Sequence, residues 1–84
     1  MRHARPDDLV PLADLLESLR GLEGLTERSP GTFYRKSNAF LHFHADDAGL
    51  FADLKEHGEF TRYRATTKRE QQTLLTRAKR ALHP

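Results

Sequence analysis

Apolar residues recur every three or four positions in two segments of the chain, one near each end. In the first segment, leucines stand at positions 9, 12, 16 and 19, directly after Asp7 and Asp8. This period is typical of an amphipathic helix, and an aspartate near its start can accept the free backbone N–H groups of the first turn. We therefore predict a helix over about residues 8–22, with Pro11 tolerated in its first turn.

The second helical pattern begins at Thr67 and Glu70, whose spacing is that of a capping box. The apolar positions that follow form one stripe, which consists of Leu74, Leu75, Ala78, Ala81 and Leu82. Arginines and lysines occupy the other side, and several of them lie in the last turns, where they suit the helix dipole.

Between the two helical patterns, apolar and polar residues alternate in four short runs, over residues 32–36, 39–45, 50–55 and 60–65. The connecting stretches SN, DDAG and EHGE are short and rich in turn-forming residues. Strands joined by such short loops must be antiparallel. The sequence therefore predicts a single α+β domain over residues 1–84. Its four-stranded antiparallel meander has N- and C-terminal helices packed on one face, in the order α-β-β-β-β-α.

The loops also predict which residues share a face of the sheet. The DDAG loop places Leu41 opposite Leu54 and Phe43 opposite Ala52, which we interpret as the core face under the helices. A two-residue SN loop places Phe33 beside His42, on the other face. That open face is then expected to carry Phe33, Arg35, Phe40, His42, His44, Phe51, Asp53, Phe60, Arg62 and Arg64. Four phenylalanines on an uncovered sheet would form a large apolar patch, which usually marks a partner or a second copy of the chain.

Composition narrows the class of protein. The 84 residues are 37% hydrophobic and 31% charged, which suits one small domain with a modest core, for which oligomerisation is a common supplement. There is no cysteine, which excludes disulfides and thiolate zinc sites and favours a cytoplasmic location. No apolar run approaches the roughly 18 residues of a membrane span, and the opening MRHARPDD lacks the apolar centre of a signal peptide.

The stretch FLHFHAD carries the strongest candidate chemistry. His42 and His44 lie two residues apart on a predicted strand, so both side chains project from one side, and Asp53 lies across the hairpin. Two imidazoles and a carboxylate can bind a divalent metal such as zinc or iron. The alternative is that both histidines are ordinary polar strand positions. No hydroxyl lies in a recognisable nucleophile motif, so we predict no catalytic residue and favour a non-enzymatic domain.

Three functions follow from the predicted open face. The first is self-association or binding of a protein partner through the phenylalanines. The second is binding of a metal or small ligand by His42, His44 and Asp53. The third is binding of single-stranded nucleic acid, with bases stacked on phenylalanines and phosphates bound by arginines, which the net charge of +2 allows without requiring it.

Part of the chain also resembles a known group of proteins. Ser37, Ala39–His44 and Asp46, followed by Gly49–Leu54, are similar to the Ser-x-Ala-Phe-Leu-His-Phe-His-x-Asp and Gly-Leu-Phe-Ala-Asp-Leu segments of short bacterial proteins of uncharacterised function. The His-Phe-His-x-Asp element is also similar to small luciferase-like domains, although the likeness does not extend to their longer tail. The resemblance implies a bacterial α+β domain. It does not imply light emission or any other activity.

Overall fold

An antiparallel sheet of six strands, rather than the predicted four, forms one layer of the computed structural model, which describes residues 2–83. The strands are β1 (Arg2–His3), β2 (Leu25–Ser29), β3 (Thr32–Arg35), β4 (Asn38–Asp46), β5 (Gly49–Glu56) and β6 (Glu59–Arg64). The spatial order is β2-β3-β4-β5-β6, and β1 pairs separately with β4. The α+β class and the antiparallel meander are confirmed, and the strand count is corrected by the addition of β1 and β2.

The helices are α1 (Pro6–Leu9), a 3₁₀ turn (Val10–Leu12), α2 (Ala13–Arg20) and α3 (Lys68–Leu82). The continuous helix predicted for residues 8–22 is therefore wrong in detail. Pro11 has no N–H to donate, and the chain tightens into the 3₁₀ turn around it. At α3 the capping box is confirmed, because Thr67 Oγ1 accepts from the Glu70 N–H at 3.1 Å and Glu70 Oε1 accepts from the Thr67 N–H at 2.9 Å.

The register from β4 to β6 agrees with the prediction. Leu41 lies opposite Leu54, Phe43 opposite Ala52 and His42 opposite Asp53. On the next strand, Tyr63 lies opposite Ala52 and Arg62 opposite Asp53. Two-residue turns at residues 47–48 and 57–58 hold this register, since in a hairpin the loop length determines which residues pair.

The register between β3 and β4 differs from the prediction, and two phenylalanines change face as a result. The loop is Lys36–Ser37 rather than SN, and Lys36 takes a left-handed φ of 58° in it. This loop alone would pair Phe33 with Phe40 and leave it on the His42 face, but a bulge on β4 shifts the pairing by one residue, so Phe33 lies opposite Leu41 and is 0% exposed. Phe40 is the extra residue of a bulge on β4, where Leu41 pairs with Phe33 and Ala39 with Tyr34. A bulge interrupts the alternation of side chains, and Phe40 is 4% exposed within the core.

Both helical regions pack on one face of the sheet, as predicted. The core joins leucines of the N-terminal helices and α3 to the sheet residues Phe33, Leu41, Phe43, Ala52 and Leu54. Among residues 2–83, no helix combines the length and the apolar character that a membrane crossing requires.

Candidate metal centre

The open face carries fewer phenylalanines than the sequence predicts. Phe33 and Phe40 belong to the core, so the expected patch of four rings is wrong. Phe60 is 44% exposed, with its ring centroid 5.0 Å from that of His42, and Phe51 is half-buried beneath the Arg64 guanidinium at 5.4 Å. An uncovered apolar surface of two partly shielded rings is much smaller than a typical interface patch.

The predicted arginines of this face do not act together. Arg62 is paired with Asp53, and Arg64 with Glu70 at 3.3 Å. Arg35 lies near the β3–β4 loop at one end of the sheet and lines a separate cleft. Two of the three cations are therefore already neutralised by carboxylates, which weakens the electrostatic argument for a nucleic-acid surface.

Three histidines meet at the centre of the open face. His42 and His44 project from β4 on the same side, and β1 brings His3 directly opposite His44. Each of the three offers a ring nitrogen, and these nitrogens all lie within 4.8 Å of one another. His3 is exposed, whereas His42 and His44 are half-buried, so the cluster is open to solvent on one side.

A short contact joins the two histidines of β4. His42 Nδ1 and His44 Nε2 are 2.7 Å apart, so one of these nitrogens donates a proton to the lone pair of the other. His44 Nε2 also lies 3.1 Å from Asp53 Oδ2, which favours a proton on that nitrogen. A divalent ion would replace this shared proton, because metal ligation needs the same lone pairs.

The Asp53 carboxylate has two partners, His44 and Arg62. His42 is its direct neighbour across the strands, but the carboxylate contacts the diagonal neighbour, His44. Arg62 donates to both carboxylate oxygens, through Nε at 2.8 Å and through Nη2 at 2.9 Å. This bidentate pair is the main reason that the pKa of Asp53 lies below its ordinary value, and the histidines lower it further. The carboxylate is therefore ionised and fully engaged.

Both half-buried histidines have lowered pKa values. Burial is the main cause of the lower pKa of His42, and the neighbouring charge of His44 lowers it further while that of Asp53 raises it. Burial also lowers the pKa of His44, against the opposing effect of Asp53. At neutral pH both rings are therefore uncharged, which is the protonation state that a metal ligand needs.

The donor set fits a transition metal. Three neutral imidazoles are a recognised zinc ligand set that leaves a fourth position open. With zinc–nitrogen distances of about 2.0–2.1 Å, tetrahedral ligand nitrogens lie about 3.3 Å apart. To bind one ion, the 2.7 Å pair would separate slightly and the wider distances, up to 4.8 Å, would shorten.

Sequence reasoning placed His42, His44 and Asp53 in the candidate site and missed His3. A two-residue strand is too short to show any alternation, so the segment Arg2–His3 carries no strand signal of its own. The unequal strand lengths were the available clue. β4 has nine residues and β3 only four, so the edge of β4 near His44 and Ala45 was left without a partner.

The lowered histidine pKa values predict a pH dependence of stability in the metal-free protein. As the pH falls from about 7.5 to about 5.5, the unfolded chain binds protons at His42 and His44 before the folded chain does, so the free energy of unfolding decreases. The decrease begins near the ordinary pKa of 6.5 and ends below the folded-state pKa values. Urea unfolding at several pH values, in the presence of a chelator, measures it.

The double variant His42→Gln/His44→Gln is the control for this measurement. It should lose part of the pH dependence in this window. Asp53 contributes separately, because its lowered pKa gives stability that is present above its ordinary value of 3.8 and disappears at lower pH. An identical slope between about pH 7.5 and 5.5 in the variant and the original protein would contradict the assignment to these two histidines.

Comparisons of the chain with protein-family models, with curated proteins and with solved structures found no match.

Proposed function

We propose that the protein binds a divalent transition metal ion, with zinc as the leading candidate, through His3, His42 and His44. The observation that carries the proposal is the convergence of three imidazole nitrogens within 4.8 Å from two neighbouring strands. Three donors of one chemical kind, held by paired backbone segments, are partly preorganised for one ion.

Asp53 is a neighbour of the proposed site rather than one of its three ligands. Its two oxygens accept from Arg62, and Oδ2 also contacts His44 Nε2. An ion bound at His44 Nε2 would replace the proton of that contact, so Asp53 would then be held by Arg62. Arg62 neutralises the carboxylate, so the charge of a bound ion would be balanced only in part by the protein.

The test is calorimetric titration of the chelator-treated full chain with Zn²⁺. We expect one ion per chain, and we expect His42→Ala/His44→Ala to weaken binding by more than about 100-fold, since even outer-shell changes cost roughly 10–100-fold. The matched control, His57→Asn/His83→Ala, also removes two histidines, neither of them in the cluster. Asparagine is chosen at position 57 because His57 has a left-handed φ of 52°. This control should bind zinc as the original protein does.

Two single variants distinguish the three-histidine site from the set predicted from sequence. His3→Ala should weaken zinc binding strongly, whereas Asp53→Asn should change it much less. The reverse order would favour His42, His44 and Asp53 as the ligands and would contradict our proposal. Unchanged affinity in His42→Ala/His44→Ala would exclude both sets.

Self-association through the open face is the second candidate, favoured by the exposure of Phe60 beside the histidine cluster. Light scattering on the same zinc samples separates the two functions. One zinc per chain at unchanged mass supports a complete site within one chain, whereas half a zinc per chain at doubled mass supports a homodimer bridged by the ion. Single-stranded nucleic-acid binding, a cytoplasmic location and a bacterial origin stay predictions.

A further inference from the structure

A cleft of about 750 Å³ lies at one end of the sheet, away from the histidine cluster. It opens between the start of β4, the β5–β6 turn and the C-terminal half of α3, and none of the three clustered histidines lines it. Its size falls within the range of about 300–1,000 Å³ that is usual for small-ligand sites.

The inner surface of the cleft is apolar. Phe40 reaches it from the bulge of β4 and is 4% exposed, and Ala39 and Ala81 lie beside it. The bulge is what makes this surface available, because regular alternation would have placed the Phe40 ring on the opposite face of the sheet. Because the ring is almost fully covered, an apolar ligand body would contact mainly the half-buried Ala39 and Ala81 and only the edge of Phe40.

The rim of the cleft is strongly basic. Arg35, Lys55, Arg77 and Arg80 line it, against Glu56 as the one carboxylate among its lining residues. Glu56 is already engaged, since it accepts from the Tyr63 hydroxyl at 2.5 Å and pairs with Arg77 at 3.7 Å.

Three of these cations have no carboxylate partner among residues 2–83. The ion pairs of the structure include none of Arg35, Lys55 and Arg80. Like charges gathered around a concave surface raise the local concentration of anions. A planar guanidinium also binds a phosphate or a carboxylate through two parallel hydrogen bonds.

We infer that this cleft binds a small organic anion, whose apolar body packs on the floor formed by Ala39, Ala81 and the edge of Phe40, and whose phosphate or carboxylate group is bound by the arginines of the rim. The inference is independent of zinc binding, because the two sites share no side chain. Size, an apolar floor and unpaired positive charge coincide in this cleft.

The test is an NMR titration of the ¹⁵N-labelled full chain with three probes of similar size, namely phenyl phosphate, benzoate and benzyl alcohol. We expect phenyl phosphate or benzoate to shift the backbone amides of Ala39, Phe40, Gly58 and Ala81. The tighter of the two identifies the acidic group that the cleft prefers. Neutral benzyl alcohol should produce much smaller shifts at the same concentration.

A pair of variants tests the charge requirement. Arg80→Gln should weaken binding of the preferred anion about tenfold, the typical consequence of losing a hydrogen bond to a charged group. Arg69→Gln is the matched control, since it removes the same charge from an exposed position of α3 that does not line the cleft. Thermal unfolding of both variants verifies that they fold.

Three results would overturn the inference. The first is an absence of shifts at these amides with both anions. The second is an equal response to benzyl alcohol, which would mean that charge contributes nothing. The third is an equal loss in Arg80→Gln and Arg69→Gln, which would indicate attraction by the net charge of the helix rather than binding in the cleft.

Discussion

Replacing Phe33 with alanine is expected to lower the free energy of unfolding by about 3–5 kcal/mol, the usual cost of deleting a buried phenylalanine ring. Phe33 is 0% exposed and pairs with Leu41 on the face that the helices cover. Its neighbours in the core come from several elements, so the cavity left by the ring could close only in part. Urea unfolding monitored by circular dichroism measures the change.

The control for this prediction is Phe60→Ala, which deletes the same atoms on the opposite face. Phe60 is 44% exposed, so its replacement should cost less than about 1 kcal/mol. At about 0.05–0.15 kcal/mol per residue, the whole domain is only marginally stable, and Phe33→Ala can leave it unfolded. Phe33→Leu is therefore the milder companion, expected to cost about 1–2 kcal/mol. Equal effects at positions 33 and 60 would contradict the assignment of Phe33 to the core.

Gly49→Ala is expected to lower the free energy of unfolding by about 2–3 kcal/mol. Gly49 has a φ of 135°, which disfavours any residue with a Cβ, and a Cβ built there would lie 2.4 Å from Thr66 Oγ1. That hydroxyl cannot move freely, because it accepts from the Leu50 N–H at 2.9 Å and donates to the Leu50 carbonyl at 3.2 Å. Both the backbone strain and the displaced hydrogen bonds contribute to the loss.

Gly58→Ala separates these two contributions. Gly58 also has a positive φ, of 83°, but a Cβ there would meet nothing within 4 Å. Its replacement should cost about 1 kcal/mol, the backbone term alone. Adding Thr66→Ala to Gly49→Ala should restore part of the loss that the contact causes. A Gly49→Ala variant no less stable than Gly58→Ala would show that the Thr66 contact carries no energy.

The register from β4 to β6 and the start of α3 were predictable because each depends on residues close together in the chain. The pairing of Leu41 with Leu54 follows from a two-residue turn between apolar strands, and the start of α3 follows from Thr67 and Glu70. In both cases the residues that determine the structure lie within a few positions of the turn or cap, so a local sequence pattern predicts it.

The face of Phe33 was not predictable in the same way. Moving a two-residue hairpin loop by one residue shifts the pairing by two residues and leaves each side chain on its face, whereas the one-residue bulge at Phe40 turns Phe33 from the His42 face to the Leu41 face. Burial of Phe33 and Phe40 against leucines from both helical regions selects the actual register and bulge. That selection depends on packing between segments far apart in the chain, which local alternation does not contain.

The candidate site also has one part that local sequence predicts and one part that depends on long-range pairing. His42 and His44 lie on the same face of the sheet because they are two residues apart on one strand, and this spacing can be read from the sequence. The presence of His3 beside them depends on pairing between Arg2–His3 and the free edge of β4, some forty residues away in the chain. A segment of two residues is too short to show a hydrophobic period, so its pairing cannot be predicted from local sequence. Its position depends on the free edge of β4, which is present only in the folded sheet.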